Sequence, residues 1–192
     1  MYKVLIACPT HESKAYSFDR WWERVQALTF PTCEVLVVDN SPTEENADKM
    51  RAAGCPVIWD REIAADTHAM LRITHSMEII RQRFLAGDWK WWFNLEADII
   101  PPINVLEMML HWGRESDWIS HAYPMRGGNQ TDDEQGIGCS ILSRRLIQDF
   151  RFGSIGDNSP DGGLWQMVRP ARKYRTMEMW GYFQVDHLQA PE

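Results

Sequence analysis

No stretch of this sequence is apolar for anything like the roughly 20 residues that a helix needs to cross a bilayer. The first seven residues carry no basic region followed by a long apolar run. The expectation is a chain with neither a membrane span nor a secretory leader, and hence a cytoplasmic protein. Cysteine is sparse and scattered. Cys8, Cys33, Cys55 and Cys139 form no Cys-x-x-Cys pair, so free thiols in a reducing compartment are expected rather than a zinc site or a disulfide framework. Excess positive charge is missing as well. The formal net charge is −7, which leaves no general field to hold a nucleic acid by counterion release. The densest basic clusters are Arg144 with Arg145, and Arg169 with Arg172, Lys173 and Arg175. They read as solvated surface, and a nucleic-acid acceptor is left open but not favoured. Repeats, low-complexity tracts and linkers are also absent. The 192 residues, 44% of them hydrophobic, suit one domain with a sizeable core.

Tryptophan, by contrast, is abundant, with ten residues. Trp21, Trp22, Trp91 and Trp92 fall within apolar patterns and are assigned to the core. Trp165 and Trp180 fall close to polar motifs, where a flat apolar face suits a sugar or base as well as core packing.

Hydrophobic periodicity gives the element order. Residues 3–7 form a short apolar run ahead of Pro9 and read as a buried strand. Phe18, Trp21, Trp22, Val25 and Leu28 recur at helical spacing. Residues 34–39 are a second buried strand, and Ser41, Pro42 and Glu44 carry the signature of a helix start with a capping box. Gly54 closes that helix before a third strand at 57–59. Met70, Ile73, Met77, Ile80 and Phe84 mark a long amphipathic helix stopped at Gly87. A fourth strand at 91–95 runs into Glu96-Ala97-Asp98. Pro101-Pro102 opens a helix ending near Gly113, and 118–123 is a fifth strand. Residues 125–136 are polar and read as a loop. A strand at 137–142 and a short helix at 143–150 follow. Residues 161–168 form a helix stopped by Pro170, and 175–179 and 183–186 are closing strands. This alternation indicates an α/β fold: one domain, a mostly parallel central sheet, and helices on both faces.

In open α/β sheets, ligands bind beyond the carboxyl ends of the strands. Three such ends carry polar residues here: Pro9-Thr10-His11-Glu12, Asp39-Asn40-Ser41 and Glu96-Ala97-Asp98. Two carboxylates at i and i+2 on an extended segment project to the same side. That suits a hard divalent cation, which takes oxygen ligands and keeps places for water and phosphate.

Four segments in this order resemble the GT-A glycosyltransferases, and most of all the broad family 2 type. VLIACPTHES (4–13) is similar to the first strand and loop, which lie against the donor base. EVLVVDNSPTEE (34–45) is similar to the second strand, whose terminal acid contacts the nucleoside. WWFNLEADIIPP (91–102) resembles the strand that carries the Asp-x-Asp metal motif. GIGCSILSRRLI (136–147) resembles the small-residue strand lining the acceptor side. The segment 161–188 looks like the family's acidic helix start, a late strand and a histidine. Glu96 stands where Asp is usual. No Gln-x-x-Arg-Trp motif occurs, unlike in processive synthases, and the small size leaves little room for an acceptor domain.

The resemblance implies a nucleoside-diphosphate sugar donor, UDP-sugar favoured, and a Mn2+ or Mg2+ cofactor. It places the donor in residues 1–98 and the acceptor and catalysis in 99–192. It makes Asp98, with Glu96 and His187, the metal ligands. Pro9, Thr10, His11, Asp39, Asn40, Glu96 and Ala97 would contact the nucleotide sugar. Asp161 would be the catalytic base of an inverting transfer, with Asp157 in reserve and Asp132 or Asp133 behind it. As a plain helix N-cap, Asp161 has a second reading. A retaining transferase, a sugar nucleotidyltransferase or a non-catalytic sugar-nucleotide-binding protein are the alternatives. The absence of glycines from PTHESKAYS argues against the nucleotidyltransferase.

Overall fold

The computed structural model describes residues 2–62, 67–122, 136–153, 160–179 and 181–190. Its main sheet contains seven strands: β1 (Val4–Thr10), β2 (Cys33–Asp39), β3 (Val57–Trp59), β4 (Trp91–Leu95), β6 (Trp118–His121), β7 (Cys139–Ser143) and β8 (Thr176–Met179). Their order across the sheet is β3-β2-β1-β4-β7-β6-β8. β7 runs antiparallel to both neighbours, and all other pairings are parallel. A separate two-stranded ribbon pairs β5 (Ile99–Ile100) with β9 (Asp186–His187).

The helices are α1 (Phe18–Gln26), α2 (Glu45–Ala52), α3 (Ala69–Ala86), α4 (Val105–Gly113), α5 (Arg144–Asp149) and α6 (Pro160–Ala171), with a 3-10 helix at Glu12–Ser17. The period-two alternation of the strands sorts them into two layers. Val4, Ile6 and Cys8 of β1, with Trp91 and Phe93 of β4, face Trp21 and Val25 of α1 and Leu106 and Met109 of α4. Leu5 and Ala7 of β1, with Trp92 of β4, face Met77, Ile80 and Phe84 of α3 and Leu146, Ile147 and Leu164 of α5 and α6. The sheet is thus covered on both faces, as its near-continuous hydrophobic strands require.

Several local expectations are corrected. Pro9 does not end β1, which pairs with β2 through Thr10 but with β4 only through Ile6. Beyond Ile6 one edge of the strand is open, and a proline there costs little. Ser41 does not cap α2, which begins at Glu45 without a side-chain cap. The Ser41 hydroxyl is occupied elsewhere: it donates to Asp39 and accepts from the Glu12 backbone N–H. Pro170 lies inside the last turn of α6, which continues to Ala171. The expected closing strand at 183–186 is a two-residue strand in the small ribbon. The expected loop at 125–136 falls outside the described residues except for Gly136.

Of the expected basic surface, Arg144 has become structural. Its guanidinium donates to the carbonyls of Phe84, Leu85, Gly87 and Trp89, at 2.6–3.2 Å. This closes the C-terminus of α3, whose last carbonyls have no partner within the helix. Arg145 forks onto Asp117, Lys173 meets Asp149 and Arg175 meets Glu115. Three of the cations that read as solvated surface in the sequence are thus matched by carboxylates, around a cleft at the amino ends of the parallel strands.

Arg144→Ala is expected to lower unfolding free energy by about 3 kcal/mol, because it strands partly buried carbonyls. Lys3→Ala, which removes an exposed pair with Asp88, should leave stability essentially unchanged. Denaturant titration of the two variants checks the contrast.

Candidate active site

The carboxyl ends of β1, β2 and β4 meet at one edge of the sheet. There they wall a pocket of about 450 Å3. Pro9, Thr10 and His11 supply one side, Asn40 another, and Glu96, Ala97 and Asp98 the floor. Seven of the residues expected to meet a nucleotide sugar or its metal are therefore brought together. They enter from three strand ends, as the parallel register dictates: Thr10 lies beside Asp39 in the β1–β2 ladder, and Glu96 continues β4.

Asp39 sits behind this wall and is fully buried. Its Oδ1 accepts from the Ser41 hydroxyl at 2.6 Å and from Asn46 Nδ2 at 3.1 Å. Its Oδ2 has no partner among the described residues. Burial pushes the Asp39 carboxyl above the ordinary aspartate value, with the Ser41 and Asn46 hydrogen bonds working against that shift. A buried acceptor without a hydrogen-bond partner is uncommon in folded proteins. Asn40 continues the network through Ser76 to Asp60, whose carboxylate meets His75 at 2.7 Å.

His11 Nδ1 accepts the backbone N–H of Ser13 at 3.1 Å and so caps the 3-10 helix. Burial, helped by the charge of Arg72, lowers its pKa, so the ring is neutral near pH 7. With Nδ1 accepting, the ring proton sits on Nε2.

Asp98 is the focus of the site. Its side chain is 0% exposed. Its Oδ2 receives the ammonium of Lys14, and lies 3.2 Å from the Tyr16 hydroxyl and 3.3 Å from His187 Nε2. The ribbon puts His187 there. Ile99 is the register partner of His187, and the Leu188 N–H donates to the Asp98 carbonyl at 2.8 Å. His187 also lines an adjoining cavity of about 620 Å3, together with Arg20, His121 and Phe183. His121 is buried and stacks on Phe183 at 3.9 Å between ring centres. Burial lowers its pKa and holds it neutral.

Two of the three expected metal ligands, Asp98 and His187, are thus in direct contact. Among the described residues no three carboxylate, imidazole or thiol side chains form a ready-made metal cage, so Glu96 does not complete one. Asp161 stands at the second position of α6, but its side chain is outside the described residues, as are Asp157, Asp132, Asp133 and Trp180. Trp165 packs edge-on against Trp118 and belongs to the core. The four cysteines are free thiols, and burial raises the pKa of each.

Lys14, Tyr16, Arg72 and the Asp60–His75 pair are absent from the sequence-based list. For Lys14 and Tyr16 a signal existed: both lie in the segment that leaves the end of β1. Nothing in the sequence pairs Asp60 with His75.

No family model matches the chain, and no curated protein matches it in sequence. Solved structures do match in shape. Glucosyl-3-phosphoglycerate synthase from Mycobacterium tuberculosis, in complex with Mn2+, UDP and phosphoglyceric acid, superposes with a TM-score of 0.67 at 14% identity. The match covers 99% of this chain and 72% of that one. The fold is GT-A. A mannosyltransferase from Pyrobaculum calidifontis, in complex with GDP-Man and Mn2+, gives a TM-score of 0.64 at 14% identity over 94% of this chain. This chain spans only 56% of that enzyme. CMP:2-keto-3-deoxy-manno-octonic acid synthetase complexed with CTP matches at a TM-score of 0.59 and 12% identity, over 93% of this chain and 90% of its own. In this GT-A fold, among the described residues, no helix is long and apolar enough to cross a membrane.

Because burial raises the Asp39 pKa, ionising Asp39 costs the folded state stability. That cost sets in as pH rises from the ordinary aspartate value through the raised one. Asp39→Asn should remove it, leaving a variant at least as stable as wild type at pH 7. Denaturant melts of both proteins from pH 3 to 8 check this.

Proposed function

We propose that the protein is a glycosyltransferase that moves a sugar from a nucleoside-diphosphate sugar to an acceptor hydroxyl, with inversion. The observation that carries this reading is the contact between the buried Asp98 carboxylate and His187, beside a pocket walled by the ends of β1, β2 and β4. Pro9, Thr10 and His11 flank the nucleoside, and Asp39 and Asn40 accept and donate hydrogen bonds on its far side. Glu96 and Ala97 lie under the ribose and diphosphate. A UDP-sugar is the favoured donor, and the donor half is residues 1–98.

The ligand chemistry fits a divalent cation. Such ions are commonly held by one or two carboxylates, with substrate phosphates completing the shell, and imidazole beside carboxylate suits Mn2+. Asp98 and His187 would hold it, with Glu96 reaching it directly or through water. When bound, Mn2+ or Mg2+ would neutralise the departing diphosphate.

In residues 99–192, Asp161 is the base, with Asp157 in reserve. The acceptor oxygen forms its bond to the anomeric carbon as the bond to the diphosphate oxygen breaks. The diphosphate leaves with the electron pair, and the acceptor proton passes to the Asp161 carboxylate. Arg72, lining the same pocket, offers a second positive group to the diphosphate.

The likeness to the CMP-sugar synthetase favours a second reading, a sugar nucleotidyltransferase on the same sheet. Product analysis separates the two: transfer releases a nucleoside diphosphate, and nucleotidyl transfer releases pyrophosphate.

Asp98→Asn should abolish most Mn2+-dependent donor turnover while circular dichroism stays native. Wild-type turnover at limiting Mn2+ would remove Asp98 from the site. Asp161→Asn should slow transfer by about 10²–10⁴ with donor affinity nearly unchanged, since a base contributes on that order and does not touch the diphosphate. Asn caps a helix as well as Asp, so a rate close to wild type would mean that Asp161 is only a cap.

A further inference from the structure

Asp98 Oδ2 holds an ammonium where the proposed function needs a metal. The Lys14 Nζ is in direct ion-pair contact with that oxygen. The Lys14 backbone is pinned. Its N–H donates to the His11 carbonyl at 2.8 Å, and its carbonyl accepts from the Ser17 hydroxyl at 2.7 Å. Its side chain is not sealed in: it is 32% exposed and lines the same pocket as Arg72 and Asn40. The anchored end and the accessible end thus belong to one residue. Lysine is a point charge on a flexible stem, with no fixed fork to satisfy, so it can exchange one anion for another without rebuilding a geometry. A wholly buried carboxylate is costly to keep ionised without a counter-charge or hydrogen bonds. An ammonium and a divalent cation cannot occupy the same side of one oxygen together.

We infer that Lys14 is an exchangeable counter-ion. It neutralises Asp98 until a nucleoside diphosphate enters the pocket, then swings its ammonium onto a phosphate oxygen and frees Asp98 Oδ2 for the divalent cation. This rests on reading the pocket as a nucleoside-diphosphate site. Lys14 thereby couples the two ligands: each makes room or supplies charge for the other, and by linkage the coupling is reciprocal. The exchange also keeps Asp98 compensated throughout, by Lys14 at first and by the cation afterwards. Tyr16 and His187 remain within reach of the same oxygen as the ammonium leaves.

The test uses MnCl2 and UDP as probes on the full chain, with free Mn2+ measured by electron paramagnetic resonance and UDP by calorimetry. In wild type, UDP should tighten Mn2+ binding roughly tenfold or more, and Mn2+ should tighten UDP by the same factor. Lys14→Met should move the two affinities in opposite directions. Mn2+ alone should bind roughly tenfold tighter than to wild type, because its competitor is gone. UDP in excess Mn2+ should bind roughly tenfold more weakly, because a phosphate contact is gone. A purely structural lysine predicts that both affinities fall together or neither changes, and either result overturns the inference. Should Lys14→Met fail to fold, the wild-type titrations decide: no mutual tightening overturns it. If wild type binds no UDP at all, the proposed function fails. The gain in Mn2+ affinity of Lys14→Met without nucleotide then still reads out the competition at Asp98, and an unchanged affinity there overturns the competition as well.

Discussion

A fully buried carboxylate cannot stand alone in a protein interior, and Asp98 is such a carboxylate. Its compensation ties together parts of the chain that are far apart in sequence. Lys14 and Tyr16 come from the 3-10 helix that leaves β1, Asp98 from the turn after β4, and His187 from the last strand. The β5–β9 ribbon serves this meeting directly, since its two register pairs set His187 beside Ile99 and so within reach of Asp98. The chain closes on itself at its proposed reaction centre. Local disturbance of the C-terminal ribbon would therefore be felt at the end of β4.

The rest of the site is arranged around the same edge by the parallel sheet. Strands β1 and β2 end level with one another, Thr10 beside Asp39, and β4 runs parallel to β1 and ends on the same side of the sheet. Each therefore delivers its last polar residues to a common rim. A second buried acid, Asp39, is held by Ser41 and Asn46 at one oxygen, with the other left open. The two acids are held differently. Asp98 Oδ2 meets the Lys14 ammonium, the Tyr16 hydroxyl and His187 Nε2. Asp39 is lifted by burial and only partly relieved by its hydrogen bonds. In the proposed function, Asp98 meets a cation or the lysine that stands in its place, and Asp39 meets a hydrogen-bond donor on a nucleoside.

Much of this could be read from the chain. The strand and helix order came from periodicity, because buried parallel strands and amphipathic helices leave strong local patterns. Pro9, Thr10, His11, Asn40, Glu96, Ala97 and Asp98 were recognisable because they follow apolar strands directly. Where reading failed, a distant partner had overruled a local rule. Ser41 looked like a helix cap and serves Asp39 instead. Arg144 looked like surface and caps α3 across 55 to 60 residues of chain. Pro9 looked like a strand stop and sits on an edge that happens to be open.

What the sequence determined by itself is therefore the set of elements, the sheet edge that carries the polar strand ends, and the identity of most residues on it. These depend on hydrophobic periodicity and on turn chemistry, which act over a few residues. The tertiary structure decided the insertion of the antiparallel β7 between β4 and β6, the pairing of β5 with β9, and the partners of Asp98. Those are contacts between residues 82 to 89 positions apart in the case of Asp98. No local pattern encodes them, because they arise only when the packed core brings the chain's two ends to the same rim.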